Sequence, residues 1–147
     1  MKRTKLFFAA LACFFTAAFV CYAIDMTVLT SHLPESAKAF VQQNFPGRNI
    51  ANIERDTEFM NSTYEVTLDD GTEIDFYKNG TFDKVDCKMG AVPASIVPLG
   101  IQQYVNNNFA GATIVKIDKE RYGYDIELSN DIELKFNHHG GFMYYDD

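Results

Sequence analysis

Six carboxylates alternate with apolar residues in two stretches that read alike. Glu65, Glu73 and Asp75 lie in "YEVTLDDGTEIDFYKNGTF", and Asp125, Glu127 and Glu133 in "YDIELSNDIELKFNHHGGF". A carboxylate pair can serve as acid and base in glycoside hydrolysis, but only in a cleft that raises one pKa. Alternating strands joined by tight hairpins leave little chain to build one. The same acids on one wet sheet face would instead steer a basic protein or peptide to the surface, or keep a solvated face charged against edge pairing. Tyr77, Met143, Tyr144 and Tyr145 add aromatic and thioether surface near the last strands of such a sheet, where tyrosine suits an interface. Parity along the chain sets Phe142 and Tyr144 on one side and Met143 and Tyr145 on the other.

Other chemistry is thin. His138 and His139 are adjacent on a turn, where they cannot easily share one metal, and Cys and His residues at zinc spacing are lacking. Asp69, Asp70, Asp146 and Asp147 lack the ligand spacing of a dedicated calcium loop. Neither G-x-S-x-G nor a phosphate-binding G-x-x-x-x-G-K-[ST] occurs. Cys87 has no histidine near it in sequence and reads as a strand-end residue rather than a reactive thiol. The expectation is a non-enzymatic chain with no cofactor and no metal.

The elements that must position these residues are written twice. Leu33, Ala37, Phe40, Val41 and Phe45 recur 64 residues later as Val97, Ile101, Tyr104, Val105 and Phe109. Their spacing is one helical face. Pro34 and Pro98 open each helix in its first turn, and Gly47 and Gly111 follow its end. The period then drops to two. Tyr64, Val66, Leu68, Ile74 and Phe76 alternate with polar residues, as do Tyr124, Ile126, Leu128, Ile132, Leu134 and Phe136, now at a shift of 60. Asp69–Gly71 and Lys78–Gly80 are hairpin turns, matched by Ser129–Asp131 and His138–Gly140. An earlier strand fits Ala51 and Ile53, and Val115 and Ile117, but Ile50 and Ile114 fall on the wrong parity. Recurrence at corresponding positions is what duplicated architecture requires; a catalytic device has little reason to be written twice.

The first 23 residues differ in chemistry from the rest. Lys2, Arg3 and Lys5 precede the uncharged stretch from Leu6 to Ala23, the pattern of a secretory signal. An uncleaved membrane anchor is the alternative, since about 18 apolar residues sit at the lower edge of a span; Cys13 and Cys21 lack the flanking residues of a lipidation site. Removing three lysines and arginines from 13 leaves 10 basic residues against 20 acids, a net charge of −10. A surface so acidic repels phosphate backbones, so nucleic acid is excluded as a partner. With Cys13 and Cys21 removed, Cys87 has no disulfide partner in the mature chain, and the fold depends on its core.

On "LPESAKAFVQQNFPG" with "YEVTLDDGTEIDFYKNGTF", and again on "VPLGIQQYVNNNFAG" with "YDIELSNDIELKFNHHGGF", the chain resembles the PepSY-like, β-lactamase-inhibitor-like proteins exported by Bacteroides and its relatives. The resemblance covers residues 33–147. It implies tandem units, each a helical segment on an antiparallel sheet, a periplasmic or cell-surface location, and no agreed catalytic residues. Two departures stand out: the family often has glycine where Asp131 stands, implying a wider or bulged hairpin here, and a common tryptophan is replaced by Phe82 or Phe142. Contacts in which related inhibitors use tryptophan therefore do not transfer.

The resulting expectation is an α+β protein of two tandem repeats, each an amphipathic helix packed on a four-stranded antiparallel meander. Residues 1–23 form the signal, 24–87 the first repeat, 88–95 a linker and 96–147 the second repeat. The expected role is a periplasmic or secreted binding module, inhibitor-like toward an envelope or secreted protein of basic character. Glu65, Glu73, Asp75, Tyr77, Asp125, Glu127, Glu133, Met143 and Tyr145 are its expected contact residues, and hairpin loops flank them. An envelope protein that binds a small ligand or cation is the alternative, and the membrane enters only through an uncleaved signal.

Overall fold

The computed structural model describes residues 30, 32–56 and 63–146. The expected signal at 1–23, with Cys13 and Cys21, and most of the "DTEFMNST" loop lie outside the described residues. From Pro34 onward the order is helix α1 (Glu35–Asn44), strands β1 (Ile50–Asp56), β2 (Thr63–Leu68), β3 (Glu73–Tyr77) and β4 (Phe82–Asp86), helix α2 (Leu99–Asn108), then β5 (Ile114–Glu120), β6 (Gly123–Leu128), β7 (Glu133–Asn137) and β8 (Phe142–Asp146). Helix and four strands therefore occur twice. The eight strands form one antiparallel sheet in sequence order. The expected four-stranded meanders are not separate sheets but join into one, because β4 pairs with β5 through Lys84↔Asp118, Val85↔Ile117 and Asp86↔Lys116.

Both helices are shorter than the apolar stripes that announce them. Pro34 and Pro98 are N-caps, one position before the first turn, and their carbonyls accept N–H bonds from Ala37 and Lys38 and from Ile101 and Gln102. Phe45 and Phe109 close the other ends, each donating its N–H to a valine carbonyl in the last turn. One face of the sheet is apolar and holds the core: Val66, Leu68, Ile74, Phe76 and Val85, then Ile117, Ile126, Leu128, Leu134 and Phe136, all essentially inaccessible. Helix aromatics pack onto it at corresponding places. Phe40 meets Phe76 edge-on at 5.5 Å and Phe82 at 5.0 Å; Tyr104 meets Phe136 edge-on at 5.5 Å and stacks on Phe142 at 4.4 Å.

The parity conflict at the first strand of each half has a physical cause. A bulge between Ile50 and Asn52, repeated between Ile114 and Lys116, inserts one residue and returns the flanking isoleucines to one side. Ala51, expected to share a side with Ile53, is exposed, whereas Val115 is buried. Asp131 brings a second correction. Instead of a wider hairpin it takes φ 64° where Gly71 takes 85°, and both turns make the same bonds: Gly71 to Leu68 and Asp131 to Leu128. The segment expected to link the repeats is held in place, since Val92 donates to the Ile114 carbonyl, Cys87 to that of Val115, and Ser95 Oγ to Asn44 Oδ1 at 2.7 Å.

Candidate functional site

The face away from the helices is crossed by two continuous rows of side chains, assembled strand by strand from the register. One row runs Glu54, Glu65, Asp75, Lys84, Asp118, Asp125, Lys135 and Tyr144. The other runs Asn52, Thr67, Glu73, Asp86, Lys116, Glu127, Glu133 and Asp146. All six expected acids lie in these rows. The expectation missed the lysines set among them. Lys84 pairs with Asp75 at 3.1 Å, Lys116 with Glu127 at 3.7 Å, and Lys135 with Asp125 at 2.6 Å and Glu133 at 3.2 Å. Lys88, just beyond β4, bonds Glu73 at 2.7 Å and Asp86 at 2.9 Å. Those carboxylates hold the Lys88 and Lys135 ammoniums charged well beyond the ordinary lysine range.

Neutralisation is uneven. Glu65 stands between Glu54 and Asp75, and among the described residues no cation lies within ion-pair distance of it. Burial, then Asp75, Glu73 and Glu54, push its carboxyl pKa upward. Like charges directly opposite one another destabilise a sheet, and Lys84, bonded to Asp75, offsets this repulsion only in part. Near the seam, burial first and then Glu120 and Asp83 raise Asp118 to about 6. It lines an open cleft of about 720 Å³ with Tyr77, Asp83, Glu120, Arg121 and His138. The hairpins themselves offer little chain to build a cleft, and this one forms where the two halves meet.

Tyr77 faces this cleft and donates its phenol to Asp83, whose bond, with burial, pushes the Tyr77 pKa up to about 12. It is therefore a fixed donor near neutral pH. Opposite in character is Lys119, beside Asp118 but on the helix side: its ammonium lies 3.5 Å from the centre of the Phe82 ring and donates to the Phe82 carbonyl at 3.0 Å. Met143 and Tyr145 do not share a side as expected. A bulge between Phe142 and Tyr144 makes Met143 the inserted residue, so Tyr144 opposes Lys135 on the open face while Tyr145 opposes Leu134 beside Phe142. Tyr144 and Tyr145 are 51% and 60% exposed. His138 Nε2 contacts the Arg121 carbonyl at 2.8 Å. Cys87 is buried, and burial raises its thiol to about 11. Among the described residues no three Cys, His, Asp or Glu side chains are placed to hold a metal.

The family model described as "Putative beta-lactamase-inhibitor-like, PepSY-like" matches residues 22–62 and 62–144. The chain belongs to this PepSY-like family. A Bacteroides vulgatus structure, described as a "putative periplasmic protein of unknown function", is 33% identical over 80% of this chain and 94% of its own, with a TM-score of 0.77. A Bacteroides thetaiotaomicron structure, described as a "putative calcium-regulated periplasmic protein", is likewise 33% identical, over 80% of this chain and 93% of its own, with a TM-score of 0.77. Among curated proteins none matches. The periplasmic location that the resemblance implies is the one given for both relatives, and among the described residues no helix is long and apolar enough to cross a membrane.

Proposed function

We propose that this PepSY-like protein is a non-catalytic binding module of the periplasm that engages a basic protein through the open face of its sheet. One observation carries the reading: Glu65, flanked along its row by Glu54 and Asp75, has no cation of its own among the described residues. A lysine or arginine from a partner would pair with Glu65 and relieve the repulsion from Glu54 and Asp75 that Lys84 offsets only in part, and charge on the same face would speed the encounter. Lys84, Lys88, Lys116 and Lys135 fix the neighbouring acids, so the free corner is oriented before a partner arrives. The inhibitor-like description of the family fits a module that occupies another protein rather than transforming a substrate.

Capture from an envelope extract tests the reading, with the native protein as bait and a variant carrying Glu65→Lys, Glu73→Lys, Asp125→Lys and Glu127→Lys as control. A protein retained by the native bait, lost with the control and eluted by moderate salt is the expected outcome. Identical retention by both baits, or none by either, sinks it. A second reading, cation binding, is favoured by the calcium-regulated description of one relative. It predicts a melting temperature that rises with added calcium and returns on chelation.

A further inference from the structure

The inner seam of the molecule shows how the edge of a fourth strand is covered, and the chain repeats that edge at β8, where no described strand pairs with it. Among the described residues β1 and β8 are the two outer strands of the sheet. β8 corresponds to β4, with the same bulge one residue into the strand: Asp83 is inserted between Phe82 and Lys84, and Met143 between Phe142 and Tyr144. β1 corresponds to β5, again bulge for bulge. Yet β4 is covered by β5 and its Val85 is inaccessible, whereas Tyr145, in the equivalent place, is 60% exposed.

We propose that the β8 edge receives the β1 edge of a second copy of this chain, extending the sheet in the register of the β4–β5 seam. The seam fixes the three cross-pairs. Val85↔Ile117 becomes Tyr145 against Ile53, Lys84↔Asp118 becomes Tyr144 against Glu54, and Asp86↔Lys116 becomes Asp146 against Asn52. Each is chemically matched. Tyr145 and the half-buried Ile53 form an aromatic and β-branched pair, among the better cross-strand combinations. A tyrosine phenol donating to a carboxylate is a contact the chain already makes twice, Tyr77 to Asp83 and Tyr122 to Asp125. The Asn52 amide can donate to the Asp146 carboxylate. The two side-chain rows on the open face would then run from one copy into the next without a break. Charged flanks do not protect β1 from such pairing, since β5 carries Lys116, Asp118, Lys119 and Glu120 and pairs with β4 nonetheless. The contact is head-to-tail, so it builds rings or open chains of copies.

Sedimentation velocity on protein purified from the periplasm after export reads this directly. The mean mass is expected to rise with concentration, and to rise further with salt as repulsion between acidic copies is screened. Tyr145→Lys and Ile53→Lys should each remain monomeric alone, while an equimolar mixture, with one good edge on each variant, should form dimers and stop there. Asn52→Asp, an exposed change that leaves the core alone, should weaken association about two- to five-fold by opposing Asp146, and Asp146→Lys should restore it in the double variant. Unchanged melting temperatures confirm that the variants fold. A native protein that stays monomeric at its highest attainable concentration overturns the proposal. So does association that survives both single variants, or that Tyr145→Lys abolishes and Ile53→Lys does not, which would mark β8 pairing with another β8.

Discussion

Where each helix meets the last hairpin of its own half, the two halves solve one problem differently. In the first, Ser36 reaches across and donates its hydroxyl to the Asn79 carbonyl at 2.9 Å, and the space for this comes from Gly80. A Cβ on Gly80 would lie 1.9 Å from Ser36 Oγ, 3.0 Å from the Ala37 nitrogen and 3.1 Å from the Pro34 Cβ. In the second, glycine stands on both sides: Gly100 replaces Ser36 and Gly140 replaces Gly80, and a Cβ on Gly140 meets nothing nearer than 3.6 Å. Close approach of helix and hairpin is common to both, and the hydrogen bond belongs to one. Duplication has preserved the distance between elements while letting the chemistry that fills it drift.

The strongest test of shared architecture is the core. Phe76→Ala and Phe136→Ala should each cost about 3–5 kcal/mol, and by similar amounts, in denaturant unfolding. A large difference would mean that one half carries the fold and the other leans on it. Next comes the helix–hairpin contact. Gly80→Ala should cost roughly 2–3 kcal/mol, combining left-handed strain with overpacking, and Gly140→Ala about 1–2 kcal/mol from strain alone, since their φ angles are 79° and 76°. Equal costs would show that Ser36 swings aside freely.

Smaller effects sharpen the same comparison. Asp131→Gly should stabilise by about 0.5–1 kcal/mol by removing a side chain from a left-handed position, and Gly71→Asp should lose a similar amount. The smallest effect comes from a seam residue. Because the folded-state pKa of Asp118 is raised to about 6, its contribution to stability is complete below the ordinary aspartate range and lost as pH rises through 6. Asp118→Asn should therefore raise the melting temperature relative to the parent at pH 7, by about 2 °C after allowance for solvent screening, and give little or no gain near pH 4. Equal gain at both pH values would exclude ionisation as the cause.

Much of this frame was legible in the residues. The helical stripe containing Phe40 and Val41, the two-residue alternation of Tyr64, Val66 and Leu68, and the turns at Gly71 and Gly80 each express a local rule that neighbouring residues obey. What escaped depends on non-local register. The three kinds of misread position, Ala51, Met143 and Tyr145, all trace to bulges that no glycine or proline marks, and one inserted residue exchanges the faces of everything after it. The partners of Lys84 and Lys116 likewise follow from which strands adjoin. Asp118 and the cleft around it exist only because β4 and β5 meet across an intervening helix. At the candidate site the acids could therefore be found from alternation, whereas the cations that pair with most of them, and among the described residues leave Glu65 without an ion pair, could not.

The seam also governs the order in which the molecule can assemble. Six of the seven strand pairings join neighbours separated by at most a short loop, and the nearest hairpins can close within microseconds. The β4–β5 pairing must instead bring together residues 86 and 116 across α2, at the larger entropic cost of a long loop, for only three cross-strand pairs. Each half is thus able to organise its own hairpins first, and hydrogen exchange should register the earliest opening of the sheet interior at the seam between the halves.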